Sequence, residues 1–113
     1  MTRYLISFDD GAMEHIPDED MEEVGRAAHD VVQAAQDAGV WIFGGGIHTQ
    51  RASVVAIDGS VDEGADPQSK VFLGGFSIID VPSHDEALEW AARIAAACRC
   101  AQEVRELMYD PAV

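Results

Sequence analysis

A chain of 113 residues with 48% apolar side chains has the size of one domain and the material for one continuous core. Twenty-one acidic against seven basic residues leave a formal charge of −14, which excludes the basic patches that recruit nucleic acid or anionic lipid. The N-terminal MTRYLISFDD lacks the apolar core of a signal peptide, and no stretch approaches the roughly 20 apolar residues of a membrane span. A cytoplasmic protein with neither nucleic acid nor membrane as partner is therefore expected.

Arg3 to Phe8 alternates and is rich in Tyr, Ile and Phe, as a half-buried strand is, and Asp9-Asp10-Gly11 ends it with turn residues. From Asp18 the period changes. Met21, Val24, Ala28, Val31, Val32, Ala35 and Ala38 recur at three- and four-residue spacing, which predicts a helix begun by Pro17 and Asp18 and stopped by Gly39. Its first turns hold the acidic run Asp18-Glu19-Asp20 and Glu22-Glu23, where carboxylates favour the positive end of the helix dipole.

Val40 to Gly44 reads as a second strand entering a Gly44-Gly45-Gly46 bend, and Ala52 to Ile57 as a third that turns at Asp58-Gly59. Val61 to Ser69 is polar and reads as a loop before the apolar fourth strand, Val71 to Val81, which Pro82 closes. Ser83 with Glu86 three residues on has capping-box spacing, and Ala87, Leu88, Ala91, Ile94 and Ala95 form the apolar stripe of a second helix. Gln102 to Met108 supplies a last strand.

This order, β-α-β-β-β-α-β, predicts an α+β, ferredoxin-like fold of one domain over 1–113, an antiparallel sheet with two helices on one face. Such a sheet leaves its second face bare, and a second copy of the chain is the usual cover, so a homodimer is expected.

The stretch LGGFSIIDVPSHDEALEWAAR, Leu73 to Arg93, resembles the YCII-related (DGPF) family, and YLISF, DAGVWIFGGGI and EVRELM extend the resemblance over nearly the whole chain. The resemblance implies a dimeric α/β-barrel fold. It also implies members encoded beside or fused to alternative sigma factors, with a few relatives resembling dehydrochlorinating or lactone-handling enzymes. At the Asp-Gly-Pro-Phe signature this chain has Glu63-Gly64-Ala65-Asp66, while Lys70 keeps the place of the motif's lysine. A glutamate in place of the signature aspartate changes the reach of a proton-carrying group by about one methylene.

Four histidines are the natural candidates for proton chemistry. His29 falls on the flank of the first helix's apolar stripe, and His48 follows the glycine bend in a loop leaving the sheet. With Asp9 at the end of the first strand they form a possible catalytic set, a carboxylate orienting an imidazole, although Asp9-Asp10-Gly11 also reads entirely as a turn. Gly45, Gly46, Arg51, Glu63 and Phe76 are the candidate ligand-binding residues. His15 reads as exposed loop and His84 as a surface or helix-start contact.

Cys98-Arg99-Cys100 is too closely spaced for an easy disulfide and offers two sulfurs, short of a zinc set; no His-x-His or i,i+4 histidine pair occurs. Neither a metal nor a cofactor is expected. Three functional readings follow: a small-molecule-binding or regulatory homodimer with a degenerate site, a lyase or isomerase using a histidine general base on a small cyclic or carbonyl compound, and an interaction module associated with transcription.

Overall fold

Tyr4 and Ile6 alternate with Arg3 and Leu5 along the first strand, and this period of two decides which face of the sheet is buried. The computed structural model describes residues 1–48, 52–62 and 73–113. In chain order it has β1 (Thr2–Asp9), a 3-10 turn at Asp18–Asp20, α1 (Met21–Asp37), β2 (Trp41–Gly46), β3 (Val54–Val55), β4 (Val61–Asp62), β5 (Leu73–Val81), α2 (His84–Cys98) and β6 (Glu103–Glu106). The main sheet has the order β2-β5-β1-β6 with every pair antiparallel, the ferredoxin-like arrangement.

Both helices cover one face. Tyr4, Ile6, Ile79 and Val81 from the sheet form a buried cluster with Ala35 of α1 and Ala87 and Ala91 of α2. The alanines keep the helix surfaces low, so helix and sheet approach closely, and burying each large aliphatic side chain contributes roughly 1.5–3 kcal/mol. The opposite face follows from the register: Leu5 lies across from Ile78, Ser7 from Phe76, and Phe43 from Ile78. None of the described elements packs on this face; on it Phe43 is 61% exposed, Leu5, Phe76 and Ile78 are half-buried, and Ser7 is buried.

The helix ends explain themselves locally. Ser83 Oγ accepts a hydrogen bond from the Glu86 amide at 3.2 Å, the cap expected from the sequence. At the end of α1, Gly39 takes a positive φ of 74° and the Val40 amide donates to the Ala35 carbonyl at 3.0 Å, a Schellman closure. Arg99 performs the same service for α2, with φ 56° and the Cys100 amide donating to Ala95 at 3.2 Å.

Several sequence expectations are corrected. The first helix begins as a 3-10 turn, and regular α-helix starts only at Met21. The expected third strand, Ala52 to Ile57, shrinks to Val54–Val55 and does not join the main sheet. It pairs with Val61–Asp62, placed in a loop on sequence grounds, as a separate hairpin. Hydrophobic alternation marks a strand but carries no information about which edge it reaches. The rest of the expected loop, and the start of the fourth strand at Val71 and Phe72, lie outside the described residues.

A cavity under the first helix

The cavity opens because small residues line up on three sides of one space. A bulge between Trp41 and Phe43 sets Trp41 opposite Ile79 on the helix side of the sheet, and Phe43 on the other. Gly44 and Gly46 then fall on the helix side. A Cβ on Gly46 would meet only the Gly74 carbonyl oxygen, at 3.9 Å, and a Cβ on Gly25 of α1 would meet nothing within 4 Å. Glycine inside a helix costs about 0.5–1 kcal/mol against alanine, so Gly25 preserves space at the expense of helix stability.

The resulting cavity has a volume of about 460 Å³, within the range of small-molecule sites. Its floor is Phe8, Trp41, Gly44, Gly46 and Ser77; its roof is Met21, Val24, Gly25, Ala28 and His29 of α1; Ile94, Cys98 and Gln102 close the end at α2. Phe8 reaches the floor because Gly74 and Gly75 carry no side chain. A Cβ at either would stand 2.6–2.7 Å from the Phe8 ring.

Polar groups in this wall are few. His29 is an exposed residue, so its imidazole stands where the cavity meets solvent. Ser77 offers a hydroxyl from the floor. Gln102 Nε2 donates weakly to the Cys100 carbonyl at 3.4 Å and to Cys100 Sγ at 3.5 Å. Burial pushes the Cys98 thiol above its ordinary pKa, and the neighbouring Cys100 adds to the shift. Cys98 therefore stays a neutral thiol near pH 7, a polarizable wall group and a poor nucleophile. Both cysteines are free.

Of the residues singled out from sequence, the cavity gathers His29, Gly45, Gly46 and Phe76. Phe76 contributes strand backbone, because its ring lies 5.9 Å from Phe43 on the bare face. Asp9 and His48 are not in the wall. The Asp9 carbonyl accepts the Ala12 amide at 3.1 Å, the turn that its sequence context allowed. His48 is exposed beyond β2, so the three-residue set Asp9, His29 and His48 is not assembled around this cavity. Arg51 and Glu63 lie outside the described residues. His84 makes a helix-start contact, its ring 5.9 Å from that of Tyr4.

Sequence reasoning missed Ser77, Gln102, Cys98 and Trp41 as wall residues. Ser77 had one legible signal, a lone hydroxyl inside an apolar strand. Among the described residues no group of three or more His, Cys, Asp or Glu is placed to hold a metal ion, and no helix is long and apolar enough to cross a membrane.

The sheet order and the two helices on one face are those of the ferredoxin-like class. The chain belongs to the YCII-related domain family, which matches residues 3–109. Among solved structures it is similar to the 5-chloro-2-hydroxyhydroquinone dehydrochlorinase of Burkholderia phenoliruptrix AC1100 in complex with 2,5-dihydroxybenzoquinone. The TM-score is 0.54 at 16% identity, covering 97% of this chain and 96% of that one. A likeness at this identity is one of fold. A search of curated proteins found no match.

Proposed function

We propose that this protein is a small-molecule-binding homodimer whose ligand occupies the cavity between α1, the end of α2 and the sheet. The cavity itself carries the reading: about 460 Å³, walled mainly by Phe, Trp, Met and Val, with His29, Ser77, Cys98 and Gln102 as its polar side chains. The bare sheet face supports the dimer, since Leu5, Phe43, Phe76 and Ile78 form an apolar surface that a second copy would cover by two-fold symmetry. The altered signature, Glu63-Gly64-Ala65-Asp66, favours binding over the chemistry of relatives that keep it.

Hydroxylated benzenes and benzoquinones are the first probes, led by 2,5-dihydroxybenzoquinone, the molecule bound by the structurally similar dehydrochlorinase. Binding should raise the melting temperature of the wild type, and Gly46→Val, which fills the floor, should abolish the rise. A panel that leaves the wild type unmoved sinks the reading.

A second reading is favoured by one observation, His29 at the mouth of the cavity. On this reading the imidazole would take a proton from a bound ring, as in a lyase or isomerase. Chloride release from a chlorinated hydroxyquinol, lost in His29→Ala, would select this reading over binding alone.

A further inference from the structure

The end of the sheet where β1 begins and β5 stops holds two opposite charges that do not meet. Arg3 and Asp80 are direct partners in the antiparallel register, and by alternation both side chains stand on the face away from the helices, with Leu5 and Ile78. Each uses its backbone on its outer neighbour: the Asp80 amide donates to the Val40 carbonyl at 2.8 Å, and the Arg3 carbonyl accepts the Leu107 amide at 2.9 Å. The pair is therefore of the non-hydrogen-bonded kind, in which Cα atoms approach to about 4.5 Å. An ion pair is within easy reach, yet none forms between them. Asp80 Oδ1 is shielded from solvent and accepts no hydrogen bond. A shielded carboxylate oxygen without a donor is destabilising, and such atoms are rare in folded proteins.

Beside this pair lies a second cavity of about 400 Å³, within the range of small-molecule sites. The chain beyond β6 forms its other wall, where Leu107, Met108, Pro111 and Val113 join Arg3 and Asp80. The Asp110 carboxylate, also in this wall, accepts the Ala112 amide at 2.8 Å and so is held in a turn of its own segment. Met108 and Val113 are almost wholly exposed, so this apolar part of the wall has no cover among the described residues. Asp80 as a whole is half-buried, and its carboxyl group keeps access to the space.

We infer that this cavity binds a small zwitterion of the α-amino acid type, its ammonium on Asp80, its carboxylate on Arg3 and an apolar side chain against Leu107, Met108 and Pro111. Three observations select that class. The unpartnered Asp80 Oδ1 calls for a charged donor. A plain amine would supply one but would be repelled by Arg3, and a plain acid would be repelled by Asp80 and Asp110, so only a molecule with both charges on neighbouring atoms suits both residues. The remaining wall is apolar, which suits leucine or methionine over an amino acid with a charged side chain. This site shares no described residue with the cavity under α1 and does not depend on what that cavity binds.

The test is calorimetric titration of the full chain with L-leucine and L-methionine, and with isoamylamine and 4-methylpentanoate, which each keep one charge of leucine. Leucine should bind the wild type, and each one-charge analogue should bind roughly 10-fold more weakly or worse. Arg3→Gln and Asp80→Asn should each weaken leucine roughly 10- to 100-fold, as loss of one charge-assisted hydrogen bond does. Arg3 is exposed, so circular dichroism of Arg3→Gln should be unchanged, and its titration decides the matter even where Asp80→Asn misfolds. Isoamylamine bound as tightly as leucine, or leucine bound equally by Arg3→Gln, would overturn the zwitterion. Failure of both amino acids to bind at millimolar concentration would overturn the site, and a urea double-mutant cycle coupling Arg3 to Asp80 would then show the two charges satisfying each other.

Discussion

Arg99 donates from Nη1 to Asp20 Oδ2 at 2.9 Å, tying the end of α2 to the 3-10 turn that begins α1, with Glu23 a second carboxylate 3.9 Å from Nη2. The same Arg99 holds the left-handed position that glycine fills at the end of α1. One residue therefore carries two opposing terms. An L side chain in this conformation costs about 1–2 kcal/mol, whereas a partly exposed ion pair contributes about 0–1 kcal/mol.

Because the backbone term is the larger, Arg99→Gly should be as stable as the wild type to within about 1 kcal/mol, and Arg99→Ala less stable than Arg99→Gly by about 1 kcal/mol. Urea denaturation measures both. Raising the salt concentration should destabilise the wild type relative to Arg99→Gly, since only the wild type has an ion pair to screen. Equal stability of the two variants would show that the left-handed backbone costs nothing at this site.

Two glycines of the cavity wall, Gly25 and Gly44, should respond in opposite directions to a methyl group. Gly25→Ala should stabilise the protein by about 0.5–1 kcal/mol through helix propensity alone, because its Cβ meets nothing. Gly44→Ala should destabilise it by about 1–3 kcal/mol, because the Cβ would stand 2.6 Å from the Phe76 carbonyl oxygen. Thermal melts of the pair check the sign of each.

Cys98 links the cavity to pH. Its thiol pKa is raised in the folded chain, so the unfolded chain loses its proton first as pH rises. The stabilisation is complete below the ordinary thiol pKa of about 8.5 and is lost as pH climbs through the raised folded value. Urea midpoints should fall between neutral and alkaline pH, more shallowly in Cys98→Ala. Alkylation at pH 7 should be slow, and a cavity ligand should protect Cys98 more than Cys100. Rapid labelling of Cys98 at neutral pH would contradict its burial.

The candidate site was less legible in the sequence than the fold. His29 was found because a helix of period 3.6 fixes which residues flank its apolar stripe. Asp9 and His48 were joined to it on the idea that strand ends converge, a distance that sequence does not contain. Ser77 and Trp41 line the same floor from two strands far apart in the chain, and a bulge decides that Trp41 faces the helices and Phe43 does not. No local pattern announces such a bulge.

What the sequence by itself determined is whatever depends on neighbouring residues: the Ser83 cap of α2, the Gly39 stop of α1, the turn at Asp58-Gly59 and the alternation of β1. These rest on hydrogen bonds and φ angles within a few residues. The tertiary structure alone decided that β3 leaves the main sheet to pair with β4, that Gly25 and Gly46 face one space, and that Cys98 and Ser77 border it. Register, bulges and helix placement are set by burial summed over the whole chain, so a cavity is a property of the packing and of no single segment.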